Sequence, residues 1–258
     1  MNIAFSKYQG TGNDFIIMDN RDGLISLTTE QINHLCDRRF GIGADGLMLL
    51  NTHPDYDFEM KYYNADGKES SMCGNGGRCL TRFAGDMGIH KETYHFLAID
   101  GPHKAVIGNH GWIHLKMNNV NAIEESHGDF ILNTGSPHYV QGVNDVMSMD
   151  VYHAGKAIRY SKEFEEKGIN VNFVENEHNR IIVRTYERGV EEETFSCGTG
   201  VTASALIYAH NEKGFNRVEV QTKGGNLAVE FDKTGDQSFE NIWLCGPAVF
   251  VYSGQISI

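Results

Sequence analysis

Positive charge, long apolar runs and paired cysteines are what this chain has least of. Against 34 Asp and Glu it sets 22 Lys and Arg, a formal net charge of −12. That balance argues against a nucleic-acid surface and against docking on an anionic membrane. No apolar run approaches the ~20 residues of a membrane-spanning helix, and the stretch from Met1 to Asp14 lacks the apolar centre of a signal peptide. The five cysteines are odd in number and without paired spacing, so they do not read as a disulfide framework. Nor does the interval from Cys73 to Cys79 supply the close ligand pair of a zinc site. The expectation is a cytoplasmic protein in reducing surroundings that uses no metal and binds neither nucleic acid nor membrane.

What the chain does have is a cysteine in a glycine-rich loop, twice: Met72-Cys73-Gly74-Asn75-Gly76-Gly77-Arg78 and Ser196-Cys197-Gly198-Thr199-Gly200. Each loop runs into a segment with helical spacing. Leu80, Phe83, Ala84 and Met87 follow the first; Thr202, Ala205, Leu206 and Ala209 follow the second. Each thiol is therefore placed where a loop opens a helix. Unpaired backbone N–H groups there favour an anion, whether a thiolate or a bound carboxylate.

The loops belong to a longer repeat. Thr11-Gly12-Asn13 is echoed by Thr134-Gly135-Ser136, Tyr63 by Tyr186, and Cys73 by Cys197, each at an offset of about 123 residues. At 258 residues the chain could be one large domain or two ordinary ones, and the repeat decides for two copies of one module. The boundaries expected are 1–117 with 247–258 for the half carrying Cys73, and 118–246 for the half carrying Cys197. The last strand is assigned to the first half because Pro247 and the offset leave it unmatched.

Short strands dominate both halves, at 3–8, 15–18, 47–50, 58–63, 94–98, 104–107 and 112–117, then 131–134, 138–140, 170–174, 180–186, 218–221, 227–231, 242–244 and 248–252. Thr28-Thr29-Glu30-Gln31 resembles a capping box, leading a helix with Ile32, Leu35, Cys36 and Phe40 that Gly41 stops. A second helix is expected at 151–160, and the helix after Cys197 is expected to run to near Gly214. The glycine-rich stretch from Gly41 to Gly46 precedes a strand rather than a helix, which makes a nucleotide-phosphate site a weak reading. The class is α+β: two pseudo-symmetric domains, each a curved mixed sheet wrapped around a central helix, with the active site in the cleft between them.

Cys36, Cys79 and Cys245 read as small buried hydrophobes. Cys73 and Cys197, flanked by glycine, have little core to fill. A Cys-His dyad needs one thiol and leaves the duplication unexplained. Two symmetry-related thiols can instead serve one stereocentre from opposite faces, one removing a proton while the other delivers one.

At this point the residues match a known family. Gly10-Thr11-Gly12-Asn13-Asp14-Phe15, Asn64-Ala65-Asp66-Gly67, the Cys73 loop through Cys79, Tyr186-Glu187-Arg188-Gly189, the Cys197 loop and Gly246-Pro247-Ala248 with Val251-Tyr252 resemble diaminopimelate epimerase over essentially the whole length. The resemblance implies a cofactor-independent homodimer of two pseudo-symmetric domains. Its small-molecule substrate is 2,6-diaminoheptanedioate, whose LL and meso forms it interconverts for lysine and peptidoglycan synthesis. It implies Cys73 and Cys197 as the acid/base pair, and Gly74, Asn75, Gly198 and Thr199 as amide donors to the reacting carboxylate. Asn13, Asn64, Asn170 and Arg188 match substrate-holding positions, and Glu187 and His138 match residues beside the thiols. The plain alternatives are a surface histidine for His138 and a surface ion pair for Arg188.

Two positions depart from the pattern: Ser136 where some members carry Asn, and Gly46 where some carry Gln. Proline and hydroxyproline racemases also pair cysteines but typically show His where Asn75 stands. A non-catalytic amino-acid-binding protein is the rival of a different class.

Overall fold

Alternating burial builds both halves of the chain. The computed structural model describes residues 2–126 and 128–258. The chain divides into two compact units, one running as far as Leu115 and taking in Pro247–Ile258, the other Lys116–Gly246.

In the first unit, strands β1 (Asn2–Gly10), β2 (Asn13–Asp19), β3 (Gly46–Asn51), β4 (Phe58–Asn64), β5 (Tyr94–Ala98), β6 (Gly101–Ile107) and β7 (Ile113–Lys116) surround helices α1 (Thr29–Cys36) and α2 (Gly74–Asp86). β1 and β2 form a hairpin whose Gly10 faces Asn13, and the two turn residues, Thr11 and Gly12, both have positive φ. β2 pairs parallel with β3, β3 antiparallel with β4, and β4 parallel with β5. The β3 run Leu47-Met48-Leu49-Leu50 is buried on both faces because the sheet is covered on both. Ile16, Met18, Leu47 and Leu49 pack with Ile32, Leu35 and Cys36 of α1. Phe15 and Met48 point the other way, to α2, where they meet Gly76. α2 is buried on nearly every side from Gly74 to Ala84.

The second unit repeats the plan with β8 (Ile123–Ser126), β9 (Asp129–Asn133), β10 (Pro137–Gly142), α3 (Val151–Arg159), β11 (Asn170–Glu177), β12 (Arg180–Glu187), β13 (Glu192–Thr194), α4 (Gly198–Ile207), β14 (Gly214–Thr222), β15 (Gly225–Gly235) and β16 (Ser238–Gly246). β9 and β10 are antiparallel, β10 and β11 parallel, β11 and β12 antiparallel, β12 and β14 parallel. α3 packs with Val171, Phe173 and Tyr186 on one face of this sheet, and α4 lies against the strands of the other. The chain's last strand, β17 (Val249–Ser257), pairs antiparallel with β1. Its counterpart in the second unit is β8, which pairs antiparallel with β9.

Some expectations needed correction. The first helix stops at Cys36, and Phe40 is 80% exposed. Asp37 ends it: its backbone is extended, and its carboxylate accepts from the Arg39 and Phe40 N–H groups, both at 2.7 Å. α4 stops at Ile207, so Ala209 lies beyond it and Gly214 already begins β14. The intervening turn is held by Asn216, whose side chain bonds both ways to Asn211. Met87, expected on the apolar stripe of α2, caps the helix and is partly exposed. Strands β8 and β13 went unpredicted because their Glu-rich sequences carry little apolar alternation.

Candidate functional site

Both glycine-loop cysteines occupy the position just before the first turn of a buried helix. Cys73 and Cys197 share an extended backbone (φ −96°, ψ 136° and φ −106°, ψ 111°). Each carbonyl accepts the first helical bond, from Gly77 N–H at 2.7 Å and from Val201 N–H at 2.8 Å. Neither sulfur caps its helix, so the usual side-chain acceptor for the first amides is missing at both ends. Gly74, Asn75 and Gly76, and Gly198, Thr199 and Gly200, supply the first-turn amides of these helices, the end of a helix that favours an anion.

Around Cys73 a line of fixed amides has formed. Asn13 Nδ2 donates to Asp45 Oδ2 at 2.7 Å, which leaves Asn13 Oδ1 facing Cys73 Sγ at 3.7 Å and Asn75 Nδ2 at 3.4 Å. Asn75 Oδ1 accepts in turn from the buried Arg78 guanidinium at 3.1 Å. Arg78 also donates to Gly74 O, Thr11 Oγ1 and Pro247 O, tying the cysteine loop to the hairpin turn and to the segment before β17. Asp45 is itself held by Arg38, which forks onto Asp14. Burial pushes the Asp14 carboxyl up, but hydrogen bonds from Arg38 and Lys7 outweigh that and hold it well below the usual carboxylate range. Asn64 is exposed at the end of β4, opposite Gly46. A side chain at Gly46 would run into Tyr62 and the Tyr63 carbonyl, so only backbone is offered there.

The second loop has its own set. Cys197 Sγ lies 3.5 Å from Thr199 Oγ1, and the Thr199 carbonyl accepts from Thr134 at 2.8 Å. His138, in β10, is fully buried rather than on the surface. Burial first, then the positive Arg188, lowers its pKa to about 3, so the ring is neutral. Asn170 is buried with its amide engaged: Nδ2 donates to Ser136 Oγ and Pro137 O, and Oδ1 accepts from the Arg188 amide at 2.9 Å. The Arg188 side chain is exposed and rests on Ser136 Oγ at 3.3 Å and Lys167 O at 3.0 Å. These contacts orient its planar fork without a carboxylate. Glu187 accepts from Thr194 at 2.9 Å.

The structure joins Asn13 and Asn75 to Cys73 and Thr199 to Cys197, sets His138 against Gly200 of the second loop, and links Ser136, Asn170 and Arg188 to one another; Asn64 pairs instead with Gly46 and Glu187 with Thr194. Asp45, Arg78 and Asn172 were missed. The signal for Asn172 was available: in Ile169-Asn170-Val171-Asn172-Phe173 two polar residues at period two interrupt a buried strand on one face. Cys36 and Cys79 are buried packing residues, with burial pushing Cys36 up to about 11 and Cys79 up to about 12, and Cys245 is buried in β16. The amides of the glycine stretch from Gly41 are taken: Ile42 and Gly43 donate to Leu35 O and Ala44 to Cys36 O, closing the end of α1 and leaving none of the three for a phosphate.

The chain thus presents a duplicated α+β module with a helix-opening cysteine in each copy. The fold is shared with a Bacillus anthracis phenazine biosynthesis protein of the PhzF family (TM-score 0.79, 16% identity, all of both chains). It is shared also with a hydroxyproline epimerase from Agrobacterium vitis (TM-score 0.70, 13% identity, 99% of this chain and 91% of that one). The family model described as diaminopimelate epimerase matches residues 5–123 and 130–251. Diaminopimelate epimerases from Flavobacterium psychrophilum and Chlorobaculum tepidum are 48% and 41% identical. They cover 97% and 96% of this chain, which in turn covers 98% and 99% of them. The chain belongs to the diaminopimelate epimerase family.

Proposed function

We propose that the protein is a cofactor-independent epimerase interconverting LL- and meso-2,6-diaminoheptanedioate, for lysine and peptidoglycan precursor synthesis. The observation that carries this reading is the pair of non-capping cysteines, one opening the central helix of each unit, in a chain of this family. One sulfur, as thiolate, takes the proton from Cα, and the C–H electron pair moves into the adjacent carboxylate to give an enediolate. The other sulfur, as thiol, returns a proton to the opposite face, and the configuration inverts. The amides of Gly74, Asn75, Gly198 and Thr199 suit the charge that develops on that carboxylate. Arg188 suits a forked grip on the distal carboxylate, with Asn13 and Asn64 as further polar contacts. Asn170 orients Arg188 and Ser136, and Glu187 and His138 suit the role of orienting the reacting groups.

The protein acts in the cytoplasm as a homodimer in this reading. Val249, Phe250, Val251 and Tyr252 on β17 are all exposed, apolar surface on both sides of the strand that a second copy could cover, beside the contacts of Phe250 with Tyr8 and Tyr252 with Phe5. Among the described residues no helix is long and apolar enough to cross a membrane.

The test is epimerisation of LL-diaminopimelate with no added cofactor, followed in deuterium oxide by label entering at Cα. An amino-acid-binding protein would give neither product nor label. Cys73→Ala and Cys197→Ala are each expected to abolish turnover, and full activity in either would falsify the two-thiol scheme.

A further inference from the structure

Of the two ring nitrogens of buried His138, Nδ1 lies 3.0 Å from Asn172 Nδ2, while Nε2 is buried with no hydrogen-bond partner among the described residues. Which nitrogen carries the proton is decided one bond further out. Asn172 Nδ2 is also 3.0 Å from the Tyr139 carbonyl oxygen, which can only accept, so the atom facing it is the amide nitrogen. On the other side Asn172 Oδ1 accepts from Thr185 Oγ1 at 3.0 Å, its cross-strand partner in β12. The amide therefore turns its second N–H toward His138, and Nδ1 has to be the acceptor. The proton of the neutral ring is left on Nε2.

We propose that Asn172 is a positioning residue that locks His138 in the Nε2–H tautomer, holding this N–H as a neutral donor for anionic charge at the head of α4. The proposal rests on the epimerase reading of the Cys197 loop. A second observation supports it: a Cβ on Gly200 would lie 2.2 Å from Asn172 Oδ1 and 3.3 Å from His138 Cε1. The second glycine of the Cys-Gly-Thr-Gly loop thus leaves room for this amide and ring, which brings the imidazole against the first turn of the helix that Cys197 opens. A buried donor without a partner is costly in a finished structure, and an incoming anion removes that cost. Protonating the ring would set an Nδ1–H against an Asn172 N–H, a clash added to its burial and to the nearby Arg188. A donor that stays neutral can stabilise charge while the proton traffic stays with sulfur.

The test is nitrogen NMR of protein labelled at histidine, with His138 assigned by the signals lost in His138→Gln. A protonated Nε2 and a bare Nδ1 are expected across about pH 5 to 9. Asn172→Asp, nearly isosteric, offers Nδ1 an acceptor. It should move the proton to Nδ1 and lower kcat at least about tenfold with KM changed less than about threefold. If that variant does not fold, Asn172→Ala serves: with no amide N–H facing Nδ1 it should give mixed tautomers and a smaller loss of kcat. A proton on Nδ1 in the parent protein, or a moved proton with parental kcat, would overturn the proposal. Absence of turnover in the parent protein would strike the epimerase reading instead, since the tautomer is read without substrate.

Discussion

At the scale of single residues, the side chains that matter here are held by neighbours that differ in how visible they are in the sequence. Arg188 is oriented by Ser136, Asn170 and the Lys167 carbonyl. Lysine cannot reproduce the planar fork those contacts aim, so Arg188→Lys should lower kcat/KM by about tenfold or more, ~1.4 kcal/mol. Near-parental kinetics would remove Arg188 from the site. His138 gives a stability prediction with a definite sign. Its pKa is lowered to about 3 by burial and by Arg188, while an unfolded chain holds it near 6.5. Between those values the unfolded state binds the extra proton, so stability is fully present above about pH 6.5 and falls as pH drops, at up to ~1.4 kcal/mol per pH unit. Denaturant titrations should show this slope in the parent protein and a shallower one in His138→Gln; equal slopes would place His138 outside the titration. The two cysteines were legible because a glycine loop leading into helical spacing has one physical meaning. Asn172 shows only as a polar interruption of a buried strand and Asp45 not at all, since each acts through another side chain brought near only by strand pairing.

Elements were legible where local chemistry ends them and obscure where side chains from elsewhere do. The box at the start of α1 is complete: Thr28 accepts from Gln31 N–H at 3.2 Å, and Gln31 returns a bond to Thr28 N–H at 2.8 Å. Thr28→Ala should cost about 1 kcal/mol in urea unfolding, with Thr28→Ser close to neutral. The far end of the same helix misled, because Phe40 continues the apolar spacing while the Asp37 carboxylate draws the Arg39 and Phe40 amides out of the helix. Gly41 then turns the chain back so closely that a Cβ would lie 2.0 Å from the His34 carbonyl. The glycine there serves the helix end, and its neighbours' amides are used by Leu35 and Cys36. α4 shows the same limit. Its start was fixed by Cys197-Gly198-Thr199-Gly200, but its end depends on an Asn211–Asn216 turn that competes with helix for the same amides.

At the scale of the molecule, the duplication is carried out with one strand displaced in sequence. In the second unit the outer partner of the hairpin, β8, precedes it directly, whereas in the first unit that partner is β17, more than two hundred residues after β1 by the numbering. β1 therefore depends on the end of the chain for one of its two neighbours, and Phe5 lies against the bare Cα of Gly254. In the second unit β8 to β16 follow one another within one continuous stretch. A chain ending at Ala248 should lose amide protection in β1 and β2, where one edge is opened, and keep it in β14 and β15, whose ladder is complete without β17. Hydrogen exchange read by mass spectrometry would resolve the two regions. Loss of protection spread evenly over both would mean that the units fold as one cooperative body. Unchanged protection in β1 would mean that β17 adds nothing to the first unit. The selective pattern is the one expected of a module completed by a strand borrowed from the far end of the sequence.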